Sequence, residues 1–473
     1  MDINKLIQIK PDERQIAWQE LEFTAFLHYG INTFTGSEWG SGNESLSLYN
    51  PTRLDTDQWC EALKAGGIRA CILTAKHHDG FCLWDTRFTD HSVMSSPKPF
   101  DVVQRLALSC EKYGLKLGLY LSPWDRHEKS YGSGKPYDDF FCGQLEELLT
   151  RYGKLYSLWF DGACGEGPSG KKQIYDWERY YSLIRRRQNH AVIAVSGPDV
   201  RWIGNEAGDT RASEWSVVPA RLRDAGKIAE NSQKADDASF RERPLGWEDE
   251  DLGSREALKG ENELIWYPAE VDVSIRPGWF FHSIENDKLK PLKKLLDIYE
   301  KSVGGNAVLL LNIPPDTEGR IHSEDRRRLE ELGEAIKNTY SVNLLKDNAK
   351  VKSDSEGPSH HAINILNEDE RFWQPMKEKA ELEISLERKI KVSRLVLQEQ
   401  IRESQRIEAF SVYAKADDAQ QAWQKIYTGT TVGYKKICCF SPLEIKALRI
   451  VIEESRSFPA LRFTGAFFSP WSC

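Results

Sequence analysis

The stretch DTDQWCEALKAGGIRACILTAKHHDG, residues 55–80, contains the unit that decides the fold. Its first half has a polar start and a glycine stop, which is typical of a helix. The apolar run IRACILT follows as a short strand, and the polar cluster AKHHDG comes directly after it. The segment therefore predicts a helix, a strand and a polar loop, in that order.

The same order recurs in the segments 101–127, 142–167 and 173–202. Predicted strands begin near residues 24, 69, 115, 155 and 191, and NAVLLLNIPP (306–315) is predicted as the last strand. Helices that alternate with short apolar strands are typical of a parallel sheet. The spacing predicts an α/β protein in which residues 1–340 form a (β/α)8 barrel of the TIM type.

The pattern changes after about residue 340. Runs such as SRLVLQEQI (393–401) and KALRIVIEE (446–454) alternate in the manner of strands, with turn residues between them, and one short helix is expected at about 418–422. We therefore predict that residues 341–473 form a C-terminal all-β sandwich domain. We favour a role in bracing the barrel over a role in binding sugar.

The composition limits the classes of function. The 473 residues carry a net charge of −8, which argues against a nucleic-acid or anionic-membrane partner. Because no window reaches 18 consecutive apolar residues, we expect no membrane insertion, and MDINKLIQIKPDERQ also lacks the apolar core of a signal peptide. The protein is expected to be cytoplasmic if the chain is complete, and periplasmic or secreted if a signal was removed. The nine cysteines show no CxxC spacing, so no disulfide framework or zinc site is expected.

Polar and aromatic groups stand at the predicted carboxyl ends of the strands, where barrel enzymes carry their active sites. They are His28, the cluster 76–79, Trp124 with Asp125, Asp161 and Asp199. Asp161 ends the apolar run LWF, where a buried carboxylate is costly unless it is paired or hydrogen-bonded. Solvated strand ends explain Asp125 or Asp199 singly but explain the whole set poorly. We therefore expect these groups to converge on one site.

Four segments resemble the α-L-fucosidases of glycoside hydrolase family 29: FLHYGINTFTGSEWG (26–40), TAKHHDGFCLWDT (74–86), LWFDGACGE (158–166) and NAVLLLNIPPDTEGRI (306–321). Two more resemble the subfamily that acts on α-1,3/1,4-linked fucose in branched Lewis-type glycans: GPDVRWIGNEAGDTRASEW (197–215) and YPAEVDVSIRPGWFFH (267–282). The β region, with NILNEDERFWQP (364–375), is similar to a discoidin-like carbohydrate-binding module. The resemblance implies an exo-acting, retaining fucosidase without metal or cofactor, whose partners are fucosylated oligosaccharides or glycoconjugates.

The retaining mechanism needs one carboxylate that attacks the anomeric carbon and a second carboxyl that protonates the departing oxygen. The resemblance places the nucleophile at Asp161 and the acid/base at Glu206, in the loop after the fifth strand. Glu248 and Glu270 are the competitors for the acid/base role. Hydrogen-bond donors or a histidine are expected beside Asp161, because the nucleophile must stay ionised.

The resemblance also implies a set of sugar-binding residues: His28, Glu38, Trp39, His77, His78, Trp159 and Trp279. Imidazoles and a carboxylate supply donors and acceptors for hydroxyl groups, and the indoles offer apolar faces, with the C6 methyl group of fucose as one partner. Gly162 and Ala163 are expected to let the sugar approach closely. Because His77 and His78 are adjacent, at least one must lie beyond the strand end for both to touch the ligand.

Three alternatives have different chemical consequences. The main alternative function is a fucosidase of relaxed linkage preference. A metal-dependent barrel hydrolase that uses His28, His77, His78 and Asp125 is disfavoured, since the sequence has no HxH or HExxH spacing. A catalytically silent lectin-like protein is disfavoured by the retention of Asp161.

Overall fold

The computed structural model describes residues 3–243, 251–416 and 422–471. Glu248, one competitor for the acid/base role, lies outside the described residues. Most of the short helix expected at about 418–422 also lies outside them. Within these ranges, no helix is long and apolar enough to cross a membrane.

The first two thirds of the chain form the predicted barrel. In chain order its strands and an inserted antiparallel pair (β7 and β8) are β1 (Phe23–Leu27), β2 (Ala70–Lys76), β3 (Lys116–Leu121), β4 (Leu155–Phe160), β5 (Val192–Val195), β6 (Arg201–Trp202), β7 (Val217–Pro219), β8 (Leu264–Trp266), β9 (Ala269–Ser274) and β10 (Ala307–Asn312). The eight barrel strands lie in the order β5-β4-β3-β2-β1-β10-β9-β6. A parallel bridge between Ala194 and Val200 links the two edges, so the barrel is nearly closed.

Helices precede, connect and follow these strands, and the longer ones pack against the outside of the sheet. They are α1 (Ile3–Leu6), α2 (Glu13–Gln19), α3 (Asn32–Thr35), α4 (Thr56–Ala65), α5 (Val102–Tyr113), α6 (Lys135–Arg151), α7 (Trp177–Arg187), α8 (Ala225–Asn231), α9 (Ala238–Arg241), α10 (Leu292–Ser302) and α11 (Ser323–Tyr340). Asp55 caps α4 by accepting the backbone N–H of Gln58 at 3.0 Å, as the polar start of that segment predicts. A short connection without a helix joins β5 to β6, so β6 is a strand where the sequence predicted a loop.

Side chains alternate between the two faces of the barrel strands. On β9, Val271 and Val273 pack in the hydrophobic core between strands and helices. Glu270 and Asp272 stand in register with Val308 and Leu310, whose side chains belong to the separate core inside the barrel. Register partners in a parallel sheet point to the same face, so β9 sends two carboxyls into the barrel interior.

The C-terminal region is an antiparallel sheet domain with its own hydrophobic core. Its strands are β11 (Ala349–Ser353), β12 (Ala380–Glu399), β13 (Ile407–Lys415), β14 (Gln424–Gly429), β15 (Lys436–Ser455) and β16 (Leu461–Phe467). Different halves of the long strand β12 pair with β11 and β16, and β15 pairs along its other edge. This architecture confirms the expected all-β domain after the barrel.

The sheet domain packs directly against the barrel. Val396 on β12 and Ile437 on β15 belong to the hydrophobic core of the barrel and its helices, whereas their neighbours Leu395 and Cys438 belong to the core of the sheet domain. Strand residues that alternate in this way are buried on both faces. The sheet domain therefore shares a continuous apolar contact with the barrel.

Candidate active site

A cavity opens at the carboxyl ends of the barrel strands. All the predicted site residues except Glu38 line it. They are joined by residues that the sequence did not single out: Phe26, Trp202, Ser232, Gln233, Phe240 and Asp272. The strand-end groups therefore converge as the barrel predicted, and the segment that carries α8 and α9 adds a further wall.

Asp161 follows β4 directly and is surrounded by donors. Its Oδ1 atom accepts the backbone N–H of Ala163 at 2.8 Å, and its Oδ2 atom accepts the Tyr120 hydroxyl at 3.1 Å. The Nε2 atom of His78 lies 3.7 Å from Oδ2. Burial raises the pKa of Asp161 above its usual range, and the donors from Ala163 and Tyr120 oppose that shift. The donors and the histidine expected beside this carboxylate are present.

His28 is held in one tautomer by Asn312. The Asn312 amide donates to the carbonyl oxygen of Trp279 at 2.8 Å, which leaves the Asn312 Oδ1 atom as an acceptor, 2.8 Å from His28 Nδ1. The proton of the ring is therefore on Nδ1. Burial lowers the pKa of His28 to about 4, so the neutral ring keeps Nε2 as a hydrogen-bond acceptor.

His78 has the same arrangement with a different partner. Ser122 donates its hydroxyl to the carbonyl oxygen of Trp124 at 2.6 Å, so its Oγ atom accepts the proton on His78 Nδ1, 2.7 Å away. Burial lowers the pKa of His78 to about 3. Neutral His78 therefore also presents an unprotonated Nε2, which suits a hydroxyl group that donates.

His77 and His78 both follow Lys76, the last residue of β2, which confirms that the pair extends beyond the strand end. The His77 ring stacks on Tyr120, with 5.6 Å between centroids and 14° between planes. Burial lowers the pKa of His77 well below its usual range. Its buried Nδ1 atom has no hydrogen-bond partner, and a buried polar atom of this kind calls for a ligand or water.

Glu38 does not line the cavity but holds one of its walls. Its Oε2 atom accepts the backbone N–H of Trp279 at 2.8 Å, and its Oε1 atom lies 2.7 Å from His282 Nε2. Although burial acts to raise it, the pKa of Glu38 is held below its usual range by these donors. The contact with Glu38 raises the pKa of His282. The carboxylate of Glu38 therefore holds the backbone of Trp279, whose side chain lines the cavity.

Glu206 follows β6, the sixth strand, and not the fifth as predicted, because the short β6 was assigned to a loop. Its Oε2 atom accepts the Trp279 indole N–H at 3.0 Å. Burial raises the pKa of Glu206 to about 8, and the negative charges of Asp272 and Asp161 contribute in the same direction. This shift favours the protonated form of the carboxyl at neutral pH.

Two further carboxyls from β9 stand near this site. Glu270 is 1% exposed, lies beneath the cavity and accepts the Trp159 indole N–H at 2.7 Å. Burial raises the pKa of Glu270 to about 7. Asp272, which the sequence analysis missed, lines the cavity and accepts the Trp202 indole N–H at 2.6 Å. The i, i+2 spacing of acidic residues in AEVDVS was the available signal, since it places both on one face of a strand.

Gly162 allows a protein segment to approach closely, which is a different reason for a glycine here from the expected contact with the sugar. A Cβ atom at this position would meet the Ser232 hydroxyl at 2.1 Å and Ile228 at 2.9 Å. The segment after β7, which contains α8, therefore packs directly on the turn that follows Asp161. Close approach of the protein explains the glycine at this position, while Ala163 lines the cavity.

Other charged groups near the strand ends form ion pairs or hydrogen bonds with residues of the protein. Lys76 is fully buried and pairs with Asp125 at 2.8 Å. Asp79 accepts the Asn32 amide at 2.9 Å, and Asp199 pairs with Arg185 at 2.6 Å. The described residues contain no group of three or more His, Cys, Asp or Glu side chains arranged to hold a metal ion.

Comparison with known proteins gives the family. The sequence model of the α-L-fucosidase family matches residues 42–339. Alpha-L-fucosidase 1 of Arabidopsis thaliana is 39% identical over 477 residues, which cover 98% of this chain and 88% of the plant protein. The chain belongs to the α-L-fucosidase family.

Solved structures of similar proteins agree with this assignment. A GH29 fucosidase of Ruminococcus gnavus, solved in complex with fucose, is 29% identical with a TM-score of 0.83, and the match covers 98% of this chain and 95% of that one. A crystal structure of a Bacteroides ovatus protein is 44% identical with a TM-score of 0.85, covering 100% of this chain and 76% of that one. The protein is thus a glycoside hydrolase with α-L-fucosidase activity.

Proposed function

We propose that this α-L-fucosidase acts by a retaining double displacement, with Asp161 as the nucleophile and Glu206 as the acid/base. The observation that carries the proposal is the contrast between these two carboxyls in one cavity. Asp161 accepts two hydrogen bonds that oppose the effect of burial on its pKa, whereas burial and the charges of Asp272 and Asp161 raise the pKa of Glu206 to about 8. Two carboxyls whose surroundings separate their pKa values are the arrangement that acid/base glycosidases need.

In the first step, ionised Asp161 attacks the anomeric carbon and Glu206 gives its proton to the departing glycosidic oxygen. The bond to the sugar forms on Asp161 as the glycosidic bond breaks. The resulting ester is neutral, so the negative charge that helped to raise the pKa of Glu206 is gone. Glu206 is then able to accept a proton from the water that hydrolyses the ester.

Glu270 is a weaker candidate for the acid/base. Its side chain lies below the indole of Trp159 and is 1% exposed, and it does not line the cavity. A general acid must come within hydrogen-bond reach of the leaving oxygen. Glu206 meets this condition better because it shares the cavity with Asp161.

The sugar pocket supports an exo-acting enzyme. His28 and His78 offer neutral Nε2 acceptors, and His77 has a buried nitrogen without a protein partner. Trp159 and Trp279 supply apolar surface on which the C6 methyl group of fucose can rest. Phe26 packs edge-on against both indoles and belongs to the core inside the barrel, which closes the pocket from below. A pocket closed on this side suits a terminal sugar.

We further propose that the substrate is fucose α-1,3/1,4-linked in branched Lewis-type glycans. The motifs in 197–215 and 267–282 support this linkage, and Trp202, Gln233 and Phe240 extend the cavity beyond the catalytic pair. The Trp202 and Phe240 rings are nearly parallel, at 12°, with 6.3 Å between centroids. Binding energy from a branching galactose at this wall would be used in the transition state.

The test is product analysis on matched fucosyl oligosaccharides. We expect a Lewis trisaccharide to be hydrolysed with a much higher kcat/KM than a linear α-1,2-fucosyl glycan. Phe240→Ala should reduce this preference while its activity on an aryl fucoside, which lacks the branch, changes little. Equal kcat/KM on both glycans would contradict the proposed linkage and would favour a fucosidase of relaxed preference.

A further inference from the structure

A third carboxyl, Asp272, shares the cavity with Asp161 and Glu206. It lies on β9 and is 4% exposed. An antiparallel bridge between Ala207 and Val273 joins the residues that directly follow Glu206 and Asp272. The backbone of β9 is therefore joined to the loop after β6 next to this cavity, and both carboxyl side chains line it.

Each member of this carboxyl pair is anchored by a different indole. Trp202 donates to Asp272 at 2.6 Å, and Trp279 donates to Glu206 at 3.0 Å. A donor to a carboxyl stabilises its ionised form, and the effect is stronger for the shorter contact. The geometry therefore favours the charge on Asp272 and the proton on Glu206.

We propose that Asp272 is a positioning residue for the catalytic proton: its carboxylate keeps that proton on Glu206 until the leaving oxygen takes it. The inference rests on the proposed role of Glu206. Two buried carboxyls that line one cavity do not both ionise readily, so the pair holds one proton over a wide range of pH.

The other titratable and charged groups around the pair are few. Asp161 stands at the end of β4, Glu270 lies two residues before Asp272 on β9, and Arg241 on α9 acts on Glu206 with the opposite sign. The cavity histidines are neutral and add no charge. Burial is the largest cause of the raised pKa of Glu206, and Asp272 is the next. Burial, and next the negative charge of Glu270, raise the pKa of Asp272 well above its usual range, and the Trp202 donor opposes that shift.

The experiment is the pH profile of kcat/KM on a fucosylated oligosaccharide, whose leaving group needs protonation. Asp272→Asn removes the charge but keeps an oxygen acceptor for Trp202. The basic limb reports loss of the proton from the acid, so we expect it to move to lower pH by roughly one unit. Trp202→Phe, which removes the donor that keeps Asp272 ionised, should move the limb in the same direction.

Glu270→Gln is the matched control. It removes another inward carboxyl from the same strand while retaining an acceptor for Trp159, and Glu270 is not among the main influences on Glu206. The charge of Glu270 raises the pKa of Asp272, so its removal favours ionised Asp272, and the basic limb should not move to lower pH, whatever the effect on kcat. A folded Asp272→Asn enzyme whose basic limb stays at the wild-type pH would overturn the inference.

Glu206→Gln separates this inference from the proposed function. If the basic limb disappears in Glu206→Gln but is unmoved in Asp272→Asn, Glu206 is the acid and the role of Asp272 is wrong. If the basic limb persists in Glu206→Gln, the assignment of the acid/base itself fails. Circular dichroism and thermal unfolding of each variant establish that the fold is retained.

Discussion

Trp279 donates its indole N–H to Glu206 at 3.0 Å, so one side chain both lines the sugar pocket and touches the proposed acid/base. The backbone N–H of the same residue donates to Glu38. Under the proposed roles, sugar binding and proton transfer would be coupled through one indole. A disturbance of Trp279 should change the pH profile as well as the affinity.

Trp279→Phe should move the basic limb of kcat/KM to higher pH. The indole N–H stabilises the ionised form of Glu206, so its removal raises the pKa of that carboxyl further. The phenyl ring keeps most of the apolar face, so KM should rise less than it does in Trp279→Ala. The pH profiles of both variants test this prediction, and a shift to lower pH would contradict it.

Asp161→Gly should abolish hydrolysis even of an aryl fucoside with a good leaving group. The variant lacks the carboxylate proposed to form the bond to the anomeric carbon, so the loss should reach several orders of magnitude. Azide should enter the space left by the side chain and restore part of the turnover. The configuration of the fucosyl azide, read by NMR, should be inverted, and a retained product would contradict the role of Asp161.

Glu206→Ala should fail in a way that depends on the leaving group. Hydrolysis of a glycan should be severely impaired because its alkoxide needs a proton, whereas formation of the ester from an activated aryl fucoside should be affected less. A burst of aryl alcohol should precede slow turnover, and azide should give a fucosyl azide of retained configuration. If Glu270→Ala or Glu248→Ala gave this pattern instead, the acid/base assignment would be wrong.

The barrel could be predicted because each strand and helix carries its own local signal. Asp55 caps the start of α4, and glycines follow several helices. These residues mark the boundaries of helix, strand and loop to within a few positions. The short β6 carries no such signal. Only two residues form it, and its pairing with Ala269 and Glu270 depends on a strand far along the chain.

Some residues of the active-site cavity could also be predicted from local signals, because they stand at the ends of predicted strands. His28, His77, His78 and Asp161 stand at strand ends, which the barrel brings to one edge. Glu38 and Trp39 lie in the same fucosidase-like segment and were both expected to bind sugar. Trp39 lines the cavity, whereas Glu38 contacts Trp279 and His282 instead. Those partners lie more than 200 residues away, and only the folded chain shows them.

We propose that residues 1–340 and 341–473 are separate domains, with the second bracing the first. All residues that line the active-site cavity come from the barrel, while Val396 and Ile437 cover its apolar surface. Truncation after residue 340 should therefore lower solubility and Tm more than kcat on an aryl fucoside. A folded barrel whose kcat fell at least about a hundredfold, or roughly 2.7 kcal/mol in activation free energy, would contradict this separation of roles.

The contact between Glu38 and His282 should make stability depend on pH from both sides. The pKa of His282 is raised, so its contribution is complete below the unfolded value of about 6.5 and is lost as pH rises through the folded value. The pKa of Glu38 is lowered, so its contribution is lost as pH falls through its folded value. Glu38→Gln should reduce the free energy of unfolding by roughly 1.5–3 kcal/mol between these limits. Denaturant unfolding at several pH values measures the difference, which should shrink at both ends, and a difference independent of pH would contradict the ion pair.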